Sequence, residues 1–284
     1  MEWKLTLNKK LAVLGSPIAH SKSPLIHAAA YRVLGLDWDY DKIEVRKGGL
    51  RPFIEALDAD WQGLSCTMPL KEEAAKFAET LDRAAEVTKA VNTLVRTETG
   101  WAGFNTDVFG IVQAIHQANL GELKTILVIG SGATATSAVA AIKQLSPNAK
   151  VLVQARNKVT RTELVDFAKG LGLKAKATGS LKRAANKADL TIATLPGGAL
   201  NDVATELGKS GGFRPRGAIF DVAYQPWPSS IASVWQSKNL PIINGLEMLL
   251  WQAVAQIRIF TAGDPSLPLA NEEAVVAAMR HSLD

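Results

Sequence analysis

Two stretches of the chain combine residue types and spacings that chemistry can use. The first is Gly130-Ser-Gly-Ala-Thr-Ala135, a G-x-G-x-x-A run that follows a β-rich apolar segment at 125–130 and opens an Ala-rich segment at 133–145. In a strand–turn–helix context Gly130 makes the tight turn and Gly132 lets backbone approach a pyrophosphate. Ser131 and Ala133 complete the loop, a small residue at Ala135 lets helix and strand pack closely, and helix N-terminal amides hold the phosphate. Where the next apolar run ends, at 150–155, the sequence reads Gln154-Ala-Arg-Asn-Lys158 with Arg161 beyond, and no acid occurs before Glu163. A carboxylate there would bind a ribose 2′-hydroxyl, whereas cations accept a 2′-phosphate. Arg156, Lys158 and Arg161, with Asn157 among them, therefore point to NADP as cofactor. The second stretch, Ser16-Pro-Ile-Ala-His-Ser21-Lys-Ser23-Pro24, leads into a helix, with Ser23 expected at the N-cap and Pro24 in the first turn. The hydroxyls of Ser21 and Ser23 beside unpaired helix amides make a carboxylate receptor. His20 and His27 lack an acidic or cysteine partner at ligand spacing, so no metal is expected.

The elements that must carry these residues alternate. In the second half, apolar runs at 125–130, 150–155, 190–195, 218–223 and 241–244 are separated by helix-like segments such as 160–171, the pattern of a parallel sheet with right-handed crossovers. In the first half, strands are expected at 11–14, 39–45 and 61–67, and helices at 24–34, 50–57 and 71–81. A hairpin follows, with Val91–Val95 and Trp101–Phe104 flanking a Glu-Thr-Gly turn at 98–100. A structured junction at 106–113 joins two α/β domains, and the segment from Gly245 onward is helical and amphipathic.

Composition bounds the class. The chain has 284 residues, 47% hydrophobic and 21% charged, the usage of a soluble globular protein rather than a disordered or fibrous one. A single cysteine, Cys66, can form no internal disulfide, which fits a reducing compartment. The apolar stretch near the N-terminus, 11–15, is too short for a signal peptide. The longest membrane candidate, Leu246 to Phe260, is broken by Glu247, Gln252, Gln256 and Arg258. A cytoplasmic protein without membrane association is the expectation. Net charge is +5, but 122–190 holds twelve Lys or Arg against four acids. These cations are scattered singly with no aromatic RNA-binding motif, which argues against nucleic acid as a partner and suits solvated surface or a small polyphosphate ligand. Seven of the eighteen aromatic residues are tryptophans, for which core packing is the expected role.

Six motifs, in order, make the chain resemble the shikimate dehydrogenase family over nearly its whole length. They are Gly15-x-Pro17-Ile18-x-His20-Ser21-x-Ser23-Pro24-x-x-His27, Thr67-x-Pro69-x-Lys71, Ala90-Val91-Asn92-Thr93, Asn105-Thr106-Asp107-x-x-Gly110, Asp221-x-x-Tyr224-x-Pro226 and Gly245-x-x-Met248-Leu249-x-x-Gln252. The chain departs from the family pattern at Ala28, at Ser65-Cys66 before Thr67, at Ala133 in the glycine loop, and at Ala155-Arg156-Asn157 with Arg161 one position late.

The resemblance implies an N-terminal α/β substrate domain plus a Rossmann-like NADP-binding domain, with a catalytic cleft between them. The substrate domain would span 1–107, completed by C-terminal helices in 240–284, and the dinucleotide-binding domain 108–239. It implies that Ser21 and Ser23 bind the substrate carboxylate, that Thr67, Asn92, Asp107 and Gln252 hold ring hydroxyls, and that Tyr224 joins the substrate site and Gly245 the cofactor site. Lys71 and Asp107 would form the catalytic pair, exchanging a proton with the substrate oxygen while the nicotinamide exchanges a hydride. The expected activity is reversible NADPH-dependent reduction of 3-dehydroshikimate to shikimate, in aromatic precursor synthesis, by a monomer or homodimer. A relative preferring quinate and NAD, and a non-catalytic NADP-binding regulator, are the alternatives. Ser21 with Ser23 and the missing acid argue against the first, and Lys71 with Asp107 against the second.

Overall fold

The computed structural model describes residues 8–283. The first seven residues and Asp284, which the sequence reading gives to the substrate domain, lie outside the described residues. The chain divides into two compact units: residues up to Thr106 together with those from Leu249 onward, and Asp107–Met248. Both are α/β, the class the sequence patterning indicates.

The first unit runs β1 (Lys9–Gly15), α1 (Ser23–Leu34), β2 (Trp38–Glu44), α2 (Leu50–Glu55), β3 (Trp61–Cys66), α3 (Lys71–Phe77), β4 (Thr80–Leu81), α4 (Arg83–Thr88), β5 (Thr93–Thr97) and β6 (Gly100–Phe104). Its sheet has the order β2-β1-β3-β5-β6-β4. β1 pairs parallel with β2 and β3, while β5 is antiparallel to both β3 and β6, as the hairpin requires. The helix expected over 71–81 stops at Phe77, because Ala78 turns to extended backbone and the chain adds β4 and α4 before the hairpin.

In the second unit, α5 (Asp107–Gln117) is followed by β7 (Thr125–Ile129), α6 (Ala133–Leu145), β8 (Lys150–Gln154), α7 (Lys158–Gly170), β9 (Lys174–Ala177), α8 (Leu181–Ala185), β10 (Leu190–Ala193), α9 (Asn201–Lys209), β11 (Ala218–Asp221), α10 (Ser230–Gln236) and β12 (Ile242–Asn244). All six strands are parallel, in the order β12-β11-β10-β7-β8-β9. Successive connections leave β7 first on one side and then on the other, so the carboxyl end of β7 is the topological switch point, where open parallel sheets bind ligands. The sequence reading groups Asp107 with the first domain, whereas it opens α5 of the second unit; it likewise groups 240–248 with the first. β12 instead pairs with β11 and the division falls inside α11 (Gly245–Ala262), so these residues lie with the second unit. The chain ends in α12 (Glu272–His281). Among the described residues, no helix is long and apolar enough to cross a membrane.

The pleat of the first sheet sorts its side chains. Leu64, Cys66 and Leu94 pack with Ala12, Leu14, Leu50 and Leu70 on one face. On the other, Leu11 and Val95 pack with Tyr31 of α1, Val254, Ile257 and Phe260 of α11, and Met279 of α12. Side chains alternate across a strand, so Ser65, between Leu64 and Cys66, faces α11. Gly63 makes that approach possible, since a Cβ there would stand 2.4 Å from the Phe260 ring. The tryptophans at 101 and 235 are buried core residues, as expected; Trp235 donates its indole N–H to the Gly217 carbonyl at 3.1 Å.

Candidate active site

The first unit holds a buried polar cluster centred on Asn92, the residue that precedes β5. Its main-chain carbonyl accepts from the Cys66 amide at 2.8 Å, and its own amide donates to the Phe104 carbonyl at 3.0 Å, so the strands on either side hold the backbone. Its side-chain Oδ1 accepts from the Thr93 hydroxyl and from the Thr106 amide, both at 2.9 Å. Nδ2 donates to the Thr106 hydroxyl at 2.9 Å and to Gln252 Oε1 at 3.3 Å. Gln252, on α11, donates to the Leu249 carbonyl at 2.9 Å. The other hydrogen of its amide has no partner among the described residues. Asn92, Thr106 and Gln252 are all buried. Polar groups at such depth, held in one orientation by neighbours, are suited to reading the hydroxyls of a small polar molecule.

Thr106 is pinned from behind. The neighbouring Asn105 amide donates to the Asp82 carboxylate at 3.1 Å, and the Asn105 side chain donates to the Thr88 hydroxyl at 2.8 Å. Asp82 also caps α4 by accepting from the Ala85 amide at 2.8 Å, and burial pushes its carboxyl above the usual range. Asp107 follows at once as the first residue of α5 and is buried.

Lys71 is the first residue of α3 and half-buried, and its main-chain carbonyl accepts from the Val91 amide at 2.9 Å. This bond sets the start of α3 against the residue next to Asn92. Thr67 precedes that helix, half-buried, its amide bonded to the Leu14 carbonyl at 2.9 Å. Ser21 and Ser23 lie together, but not in the expected arrangement. Lys22 occupies the N-cap of α1 and Ser23 is the first helical residue, so Ser23 is not the cap; instead the Ser21 hydroxyl accepts from the Ser23 amide at 3.3 Å. Pro24 falls in the first turn, as its fixed φ and missing N–H favour. Cys66 is a buried strand residue whose thiol is pushed up to about 12 by burial.

In the second unit Gly130 closes β7 at φ +120, and a Cβ there would lie 2.3 Å from the Thr194 hydroxyl. Only glycine fits that turn. Gly132 is different: it occupies the N-cap of α6, no side chain caps the helix, and a Cβ there would meet open space. The fold itself does not require its smallness, whereas a phosphate resting on the helix amides does. Ala135 is fully buried where α6 packs on the sheet, and Ala133 is the first residue of α6. The Ser131 hydroxyl is 2.7 Å from that of Thr160 on α7.

Asn157 caps α7 by accepting from the amides of Val159 and Thr160 at 2.9 and 3.3 Å. Arg156 and Lys158 flank it, exposed, and neither these nor Arg161 forms an ion pair among the described residues. Arg161 is half-buried, and its Nε, like Oε1 of Gln154, is buried without a hydrogen-bond partner. Unpaired cations and an orphaned guanidinium donor suit a bound phosphate, so the residues present fit a 2′-phosphorylated dinucleotide. Tyr224 follows β11, half-buried, and Gly245 opens α11, where a Cβ would lie 2.1 Å from the Val222 carbonyl oxygen. Close packing alone therefore accounts for that glycine.

One residue joins the Asn92 cluster that the sequence does not single out. Gln256, one helical turn beyond Gln252, donates to the Asn92 carbonyl at 3.2 Å and to the Thr93 hydroxyl at 3.0 Å. Its only signal is the four-residue spacing that puts two glutamines on one helix face.

Comparison with known proteins bears on the whole chain. Residues 13–94 match the family model for the shikimate dehydrogenase substrate binding domain. A shikimate dehydrogenase (NADP(+)) from Nitrosopumilus maritimus is 32% identical over 260 residues, 89% of this chain and 93% of that one. Among solved structures, shikimate dehydrogenase from Mycobacterium tuberculosis is 37% identical, with a TM-score of 0.82 over 96% of this chain and 99% of its own. Shikimate 5-dehydrogenase from Thermus thermophilus, solved in complex with NADP(H) and shikimate, is 27% identical, with a TM-score of 0.78 over 96% and 99% of the two chains. With both folds and nearly the full length matched at this level of identity, the chain belongs to the shikimate dehydrogenase family.

Proposed function

We propose that this family member is an NADP-dependent oxidoreductase that reversibly reduces 3-dehydroshikimate to shikimate, with the unit built on β1–β6 holding substrate and the unit built on β7–β12 holding cofactor. The observation that carries the substrate reading is the buried Asn92–Thr106–Gln252 cluster, whose amide and hydroxyl groups are matched to a polyhydroxylated ring rather than to an apolar ligand. Asn92, Gln252, Thr67 and Asp107 would receive ring hydroxyls, with Tyr224 completing the set. Ser21 and Ser23, side by side at the start of α1, would receive the carboxylate. Gly130 to Ala133 would hold the pyrophosphate, and Arg156, Asn157, Lys158 and Arg161 the 2′-phosphate.

When bound, the nicotinamide supplies the hydride in one direction and accepts it in the other. Lys71 and Asp107 handle the proton: reduction needs one delivered to the developing alkoxide, and oxidation needs one taken from the same hydroxyl. An ammonium and a carboxylate assigned together orient one another and share that proton, a contribution of about 10²- to 10⁴-fold in rate. The rest of the reading is a cytoplasmic enzyme acting on a small molecule, as a monomer or homodimer. The experiment is a steady-state comparison of shikimate and quinate, each with NADP⁺ and NAD⁺. The expected result is the highest kcat/KM with shikimate and NADP⁺. Higher kcat/KM with quinate would overturn the substrate, higher kcat/KM with NAD⁺ the cofactor, and no turnover at micromolar enzyme the activity itself.

A further inference from the structure

The Asn92 cluster does not end at α11. Gln256 Oε1 accepts from the Ser65 hydroxyl at 3.0 Å, and the Ser65 oxygen accepts from the Tyr40 hydroxyl at 2.6 Å. Ser65 has one hydroxyl hydrogen and spends it on Gln256, so Tyr40 must be the donor of its pair. The direction then propagates. With its oxygen facing Ser65, the Gln256 amide turns both N–H groups toward the Asn92 carbonyl and the Thr93 hydroxyl. Thr93, accepting from Gln256, spends its own hydrogen on Asn92 Oδ1, and Asn92 Nδ2 is left facing Gln252. A flipped Gln256 would set its oxygen against the Asn92 carbonyl, two acceptors in contact in a buried site. The ring of Tyr40 is itself held, stacked on His27 at 3.8 Å and 13°, and His27 bonds the Tyr31 hydroxyl at 3.1 Å. Ser65, Gln256 and His27 are each less than one-tenth exposed.

We propose that Tyr40 is a positioning residue: donating through Ser65, it orients the Gln256 amide that holds Asn92, and so sets the geometry with which Asn92 and Gln252 meet substrate hydroxyls. The functional half of this statement rests on the substrate reading above; the structural half does not. It also gives a role to Ser65, one of the positions at which the chain departs from the family pattern. The buried hydroxyl is committed to Tyr40 and Gln256, so at this position the chain carries a link in a relay.

Tyr40→Phe is the test, because it deletes one hydroxyl and keeps the ring and its stack. In the free protein, the side-chain amide ¹H–¹⁵N resonances of Asn92 and Gln256 should shift. With NADP⁺ saturating, KM for shikimate should rise roughly three- to tenfold, the loss of one buried hydrogen bond, while kcat and the Kd of NADP⁺ stay within about twofold. On an Asn92→Ala background the same substitution should raise KM by less than about twofold, since the group it positions is gone. Ser65→Ala, which breaks the relay one link later, should reproduce the KM rise and serves if Tyr40→Phe fails to fold. Unshifted Asn92 and Gln256 resonances, or a full KM penalty that survives on the Asn92→Ala background, overturn the proposal. Shifted resonances in a protein that turns over no shikimate would support the positioning role and remove the substrate reading alone.

Discussion

The two units build their sites from different material. In the first, the groups proposed to face ligand are side chains drawn from distant points of the chain and locked together: Asn92 bonds both Thr106 and Gln252, and all three are buried. In the second, they are backbone amides at the mouth of α6 and exposed cations, with open space at Gly132 and an orphaned Nε on Arg161. A buried network specifies the positions of hydroxyls and tolerates little change, because each broken link strands another polar group at a cost of about 1–3 kcal/mol. An open loop with unpaired cations reads charge and tolerates redistribution. Substitutions should therefore act sharply in the first unit and in graded fashion in the second.

The strongest break is expected at Lys71. Lys71→Ala should lower kcat by about 10²-fold or more while KM for shikimate changes less, because proton transfer is lost before ground-state binding. Asp107→Asn should do the same, and the double variant should cost far less than the two combined, as expected of groups that work as a unit. A folded Lys71→Ala enzyme with near wild-type kcat would remove the lysine from the proton step.

The cations of the second unit should respond more gently. Replacing Arg156, Lys158 and Arg161 together with alanine should weaken NADP⁺ by roughly ten- to a hundredfold and leave NAD⁺ within about twofold, since a charge-assisted contact is worth about 1.5–3 kcal/mol and only NADP⁺ carries the phosphate. Single replacements should fall short of this, each being covered by its neighbours. Equal loss of both cofactors by isothermal titration would show that these residues do not read the 2′-phosphate, and loss of neither that they are ordinary surface charge.

The contrast also explains what sequence can and cannot reveal. The phosphate loop is local: strand, glycines and helix lie within 21 residues, 125–145, so period and spacing suffice to find it. Asn92 and Gln252 stand 160 positions apart and meet only because Gly63 lets α11 lie on β3, so residue-level reasoning reaches them through family resemblance alone. Gln256 and Tyr40 escape altogether, since a buried glutamine or tyrosine reads locally as any other. Elsewhere the misses have simpler causes. β9, Lys-Ala-Lys-Ala, is an edge strand whose lysines protect it from pairing, and it carries no apolar run to detect. Ser23 reads as the cap of α1 because serine usually fills that position, but the helix starts at it and Ser21 meets its amide.

The smallest effect sharpens the comparison by pH. His27 is completely buried, and burial lowers its pKa to about 3 from an ordinary value near 6.5. Because the folded pKa is depressed, the unfolded chain takes up a proton near pH 6.5 that the folded protein refuses until about pH 3. The stability that depends on neutral His27 is therefore present above pH 6.5 and lost progressively below it. Between about pH 7.5 and 5.5 the loss from this group should be about 1.4 kcal/mol, one unit of differential protonation. Urea titrations of wild type and His27→Asn at both pH values isolate it, since the other groups titrate alike in the two proteins. His27→Asn should be less stable at the higher pH, having lost the stack on Tyr40, yet flatter with pH by about 1.4 kcal/mol over this range. If wild type and variant fall in parallel, His27 is not held neutral by burial.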